Sequence, residues 1–194
     1  SRGGGTANST LPADTGAVQR CTSGGARVSL PPSDDPFGQI HRFSGQQGVS
    51  SFMTLLAAFQ WLLAHYCGQD DVAVGTPIAG RTRVEAEDLV GSLINTLVLR
   101  CFVQPDQSFR ELLRQVRETC LSAFTHQDVP LDDLVVYLRE HGQGRHVPEV
   151  RVMFNLLNTP RQALALEGLE LEYVPLALGT TQFDLALTID TESD

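Results

Sequence analysis

His126-Gln127-Asp128 places an imidazole and a carboxylate two residues apart, the pair that a general base and its orienting partner require. Spacing in sequence shows proximity and nothing more. The same side chains serve equally well to cap and tie a junction between two helices, and that structural role is the reading carried forward for His126, Gln127 and Asp128. Asn95 and Thr96 stand out next, because they interrupt the apolar run Leu93–Leu99. A buried amide costs free energy unless its hydrogen bonds are made. Asn95 is therefore expected to be buried and bonded to backbone near residues 76–91. Arg81 and Arg100 close the apolar runs Val72–Ile78 and Leu93–Leu99. Guanidinium groups so placed bind phosphate, or pair with the intervening carboxylates Glu85, Glu87 and Asp88. Pairing is the preferred reading.

Elsewhere the spacing points to structure rather than chemistry. His41, His65, His141 and His146 lack metal-ligand spacing. Cys21, Cys67, Cys101 and Cys120 contain no Cys-x-x-Cys pair and read as small buried or half-buried thiols. A cytosolic, reducing compartment is the default for such a set. Gly45, Gly142 and Gly144 are loop glycines, since no Lys-Ser/Thr follows them to cradle a phosphate.

These residues need elements to hold them. The chain's 194 residues fit one domain with a real core, and a hydrophobic share of 42% excludes disorder throughout. The net charge of −9 argues against a nucleic-acid or anionic-membrane surface. No run of 18 apolar residues signals a transmembrane helix, and no signal peptide is visible. Residues 1–25, rich in Gly, Ser and Thr, read as a flexible linker or tail. Arg27–Leu30 reads as a short edge strand stopped by Pro31-Pro32. Asp34–Gln47 is ambiguous, with Ile40 and Phe43 hinting at a helical face.

Ser50–Cys67 predicts a helix with Phe52, Leu55, Leu56, Phe59, Leu62, Leu63 and Tyr66 on one face, stopped by Gly68. Ser108–Thr125 predicts another. Its stripe is Phe109, Leu112, Leu113, Val116, Cys120 and Phe124, and Ser108 with Glu111 forms a capping box. A shorter helix runs from Pro130 to about Arg139, with Pro130 at its first position and Asp132 and Asp133 at the positive end of its dipole. Strand patterns fall at 71–78, 93–102, 150–156, 170–176 and 182–190. Helices and strands mix without strict alternation, which predicts an α/β (α+β) two-layer sandwich, a mixed sheet with helices on one face.

Gly75-Thr76-Pro77-Ile78-Ala79-Gly80-Arg81, followed by Val90-Gly91-Ser92-Leu93-Ile94-Asn95-Thr96-Leu97-Val98-Leu99-Arg100, resembles the C-terminal lobe of a nonribosomal peptide synthetase condensation domain. Further motifs continue the likeness over about residues 26–190. Phe52–Asp71 resembles the helix that opens that lobe. His126-Gln127-Asp128-Val129-Pro130-Leu131-Asp132 is similar to the family's HQDxPFE motif, with Leu131 and Asp132 replacing the usual aromatic and glutamate. Pro148–Asn158 resembles the strand after the family's RDxSRNPL motif, itself eroded here to Arg145-His146-Val147-Pro148. Gln182-Phe183-Asp184-Leu185 matches the late FDL strand. The family's catalytic signature, His-His-x-x-x-Asp-Gly, lies in the N-terminal lobe, and no His-His pair occurs in this chain.

The resemblance implies a chloramphenicol-acetyltransferase-like lobe over 26–194, incomplete at both ends, with no catalytic residue of its own. It implies a parent enzyme that joins a carrier-bound acyl or peptidyl thioester to a carrier-bound amino acid. Phosphopantetheine arms would be substrates, and this lobe would bind no cofactor. The expected partners are the N-terminal lobe, peptidyl carrier proteins and an adenylation domain. Gly75, Thr76, Arg81, Asn95 and Thr96 would line the active-site tunnel or pin a neighbouring loop. The rivals are a degenerate condensation-like recruitment module, an epimerisation or heterocyclisation domain, and a coenzyme-A acyltransferase. The plant form of the last carries an Asp-Phe-Gly-Trp-Gly motif that is absent here.

Overall fold

Apolar side chains at helical spacing between Ser51 and Cys67 force a helix, α2, against whatever lies beneath it. Ser50 caps its start, its side chain accepting from the Met53 N–H, and Gly68 ends it in the left-handed conformation at φ +61°. Leu56, Phe59 and Leu63 are buried, whereas Leu62 and Tyr66 of the expected stripe are 48% and 73% exposed. The helix is apolar on most of its circumference, so periodicity overstates the width of its buried face. Ahead of it, the ambiguous stretch forms helix α1, Pro36–Gln47. A buried 2.7 Å bond between the Ser44 and Thr54 hydroxyls fastens α1 to α2.

A computed structural model describes residues 24–30, 36–81, 89–141, 150–157 and 179–191. Besides α1 and α2 it contains strands β1 (Asp71–Ile78) and β2 (Asn95–Phe102), helices α3 (Phe109–Thr125) and α4 (Leu131–Glu140), and strands β3 (Val152–Leu157) and β4 (Leu185–Asp190). The capping box forms as expected: Ser108 accepts from the Glu111 N–H, and Glu111 accepts from the Ser108 N–H at 2.7 Å. On α3, Leu112, Leu113, Val116 and Cys120 are buried, but Phe109 is exposed, its ring tilted against that of Phe43. Pro130 is the cap of α4 rather than its first residue, and it makes no side-chain cap. No side chain of α4 is buried.

The sheet order is β2-β1-β3-β4. β1 and β2 pair antiparallel from Asp71 opposite Phe102 to Ile78 opposite Asn95. β1 and β3 run parallel, as do β3 and β4. The mixed sheet and two-layer α/β fold are those expected. Alternation sends Val72, Val74, Leu97, Leu99, Cys101, Val152 and Phe154 to one face, where α2 and α3 cover them. Gln60 of α2, buried among them, donates to the Leu99 carbonyl at 2.9 Å. Arg27–Leu30 forms no strand: Val28 and Leu30 are 79% and 85% exposed. Nearby, Gly24 forms an isolated bridge to Thr180. The expected strand at 170–176 lies outside the described residues, as does most of the expected tail. Cys67 is half-buried and Cys101 and Cys120 are buried, all as free thiols, while Cys21 lies outside the described residues.

Candidate functional site

Asn95 opens β2 on the helix-covered face, opposite Ile78. Among the described residues, its side chain makes none of the bonds to backbone near residues 76–91 that the sequence predicts. It reaches the α3–α4 junction instead and is half-buried there. Nδ2 donates to the Gln127 carbonyl at 3.0 Å and the Val129 carbonyl at 2.8 Å. Oδ1 accepts from the Leu131 N–H at 3.1 Å and the Thr96 N–H at 2.8 Å. Two donors and two acceptor sites are all an amide has, so its capacity is filled and its orientation fixed. The physical cause is plain. The turn needing partners is the one whose backbone is interrupted by Pro130, and it lies 32–36 residues away.

The same junction holds the His126-Gln127-Asp128 motif. The His126 Nδ1 lies 2.9 Å from the Ser122 carbonyl, and its backbone N–H donates to the Ala123 carbonyl. Its own carbonyl accepts from the Val129 N–H. His126 thus ties off α3, and Gln127 contributes a carbonyl to the Asn95 clamp. His126 and Asp128 are both exposed.

The other site residues separate by face. Thr96 follows Asn95 and so points the opposite way. It shares its face with Ala73, Gly75 and Met153, the last directly across from Gly75. Thr76, 3% exposed, points to the helix-covered core. Asn95 and Thr96 therefore cannot line one wall together, nor can Gly75 and Thr76. Close packing explains Gly75, because a Cβ there would overlap Val150 and Met153. Gly80 has φ +62° and passes against the Leu93 carbonyl, a constraint that residue types alone do not single out. The repeated glycine of Gly75-x4-Gly80 is the signal the sequence offers for it.

Arg100 finds its carboxylate among the described residues. It pairs with Asp71 at 2.5 Å, across the β1–β2 ladder, and lies over the Phe102 ring. Asp71 holds the Arg100 guanidinium above its ordinary pKa, partly opposed by desolvation. Glu85, Glu87 and Asp88 lie outside the described residues, so the pairing expected for Arg81 is not placed. Arg151 and Asp184 form a second pair at 2.6 Å that joins the β3 and β4 edges. Burial, aided by the Asp71 charge and Cys120, pushes the Cys101 thiol up to about 12, and burial raises Cys120 to about 11. Such thiols are poor nucleophiles. Among the described residues, no cluster of three His, Cys, Asp or Glu side chains could hold a metal ion, and no single helix is long and apolar enough to cross a membrane.

The chain has relatives. The family model described as "Condensation domain" matches residues 2–194. A linear gramicidin synthase protein of Brevibacillus parabrevis is 44% identical over 183 residues, 92% of this chain and 4% of that protein. The chain therefore spans only a small fraction of that curated relative. The first condensation domain of the calcium-dependent antibiotic synthetase, solved with a substrate analogue, is 25% identical with a TM-score of 0.55, over 63% of this chain and 26% of that one. The X-domain from teicoplanin biosynthesis reaches a TM-score of 0.68 at 21% identity, over 78% of this chain and 34% of that one, a likeness of fold alone.

Proposed function

We propose a role that proceeds from one fact: this chain belongs to the condensation domain family. It is the C-terminal lobe of a domain that forms an amide between a carrier-bound acyl or peptidyl thioester and a carrier-bound amino acid. The amine nitrogen attacks the thioester carbonyl, the C–N bond forms, and the C–S bond breaks. The amine gives up a proton and the donor arm leaves as its thiol. The thioester is already activated, so much of the catalysis lies in holding amine and carbonyl in attack geometry. The 44% identity to a gramicidin synthase across nearly the whole chain carries this reading.

The sheet face bearing Gly75 and Thr96 is the tunnel wall in this proposal. Ala73, Gly75 and Met153 are buried there, and small side chains at Ala186 and Thr188 continue the surface across β4. The Asn95 clamp, on the other face, is structural support. The N-terminal lobe supplies the histidine signature, and the phosphopantetheine arms of two carrier proteins enter as substrates. An adenylation domain is the expected neighbour, and the cytoplasm the expected compartment. The rival is a recruitment module built on the same fold, and the preceding stretch of the polypeptide discriminates them, since only the catalytic form keeps the paired histidines there.

The test supplies this chain with loaded donor and acceptor carrier proteins and looks for amide product by mass spectrometry, with and without the N-terminal lobe in trans. Product only on adding that lobe supports the proposal. Product from the chain alone at the rate of the complete domain overturns the assignment to half a catalyst. A complex with both lobes and no product under any condition favours the recruitment module.

A further inference from the structure

The first N–H groups of any helix lack an intrahelical acceptor and need a cap. α4 begins after Pro130, which has no side-chain oxygen to offer and makes no cap. Yet the Leu131 N–H is satisfied, by Asn95 Oδ1 at 3.1 Å from the first residue of β2. The same amide holds the Gln127 and Val129 carbonyls just upstream. Meanwhile α4 has no buried side chain, and β2 is the element it packs against most among those described. Leu134, Val136 and Tyr137 remain 39%, 51% and 56% exposed. A ten-residue helix without a buried stripe has little of its own to hold it.

We propose that Asn95 is a positioning residue that caps α4 from a neighbouring strand. Through this one side chain, β2 fixes where α4 starts and whether it stays docked, so α4 opens as a unit when the clamp opens. The inference joins the two sequence motifs around Asn95 and Gln127 into one device. It stands independently of the functional reading above.

Native-state hydrogen exchange followed by NMR tests it on this chain. In the unaltered protein the Leu131 amide is expected to be protected, although a first-turn amide without an acceptor exchanges near its intrinsic rate. Asn95→Asp keeps the size and the acceptor oxygens but turns an oxygen toward two carbonyls. It is expected to lower protection across 134–140 about tenfold or more, leaving the amides of α2, α3 and β1 unchanged. Adding Pro130→Ser gives α4 an ordinary cap and is expected to restore much of that protection in the Asn95→Asp background, a rescue that general loosening would not show. An unprotected Leu131 amide in the unaltered chain overturns the proposal even if the variant fails to fold. So does equal loss of protection in every element, or no loss in α4.

Discussion

A Cβ placed at Gly80 would overlap the carbonyl oxygen of Leu93, and the backbone there already has φ +62°. Gly80→Ala combines left-handed strain with a backbone clash, so it is expected to cost about 2–4 kcal/mol in urea unfolding. A loss below about 0.5 kcal/mol would show that the loop relaxes freely. The buried thiols make a separate prediction. The pKa values of Cys101 and Cys120 rise from 9.0 to about 12 and about 11. Above pH 9 the unfolded chain loses these protons while the folded chain keeps them, so folding stability is whole below pH 9 and falls as pH rises toward 11–12. Unfolding midpoints measured from about pH 8 to about pH 11 should decline, and Cys120→Val should flatten the decline. At this scale the sequence revealed that Asn95 needed partners but not which ones. Hydrogen bonding is obligatory and local composition shows it, whereas a partner 36 residues away is fixed only by tertiary packing. Arg100 repeats the point, because Asp71 becomes its neighbour only through strand register.

Helices were the most legible elements, and the capping box on α3 is the clearest case, since both of its partners lie within one turn. Ser108→Ala removes the acceptor for the Glu111 N–H and is expected to cost about 1 kcal/mol. The pH dependence has a definite sign. The hydrogen bonds from the Ser108 backbone and hydroxyl hold the Glu111 carboxyl below its ordinary pKa of 4.5. The stabilisation is present above that value and is lost as pH falls through the depressed one. The melting-temperature gap between the unaltered chain and Ser108→Ala should therefore narrow between about pH 7 and about pH 3. An equal gap at both pH values would mean that the bond from the Ser108 hydroxyl to the carboxylate adds nothing, since the backbone N–H bond survives in the variant. Width was less legible than length. Leu62, Tyr66 and Phe109 fit their helical stripes by spacing but stay exposed, because spacing reports direction around a helix and not what lies opposite. Arg27–Leu30 likewise had a strand's composition but forms no strand.

The whole molecule presents a sheet with one face sealed by α2 and α3 and the other carrying Ala73, Gly75, Thr96 and Met153. The fold class was readable from element order, and the family from motifs spread along the chain. The division of those motifs between the two faces was also implicit in the two-residue period of a strand, which sets the adjacent Asn95 and Thr96 on opposite sides. The division yields a test at the scale of the intact two-lobed domain. Thr96 is half-buried on the face proposed as the tunnel wall, near Gly75, where small groups keep the surface low. Thr96→Trp adds bulk on that side without entering the helix-covered core. Because Thr96 borders the close-packed Gly75, urea unfolding of this chain is measured alongside, so that lost turnover is read only from folded protein. If the face is the wall, amide formation by the complete domain should fall roughly tenfold or more, with both carrier proteins still bound. Unchanged turnover alongside unchanged stability would place the tunnel elsewhere, and the Gly75–Thr96 face would then be only the packing surface between lobes.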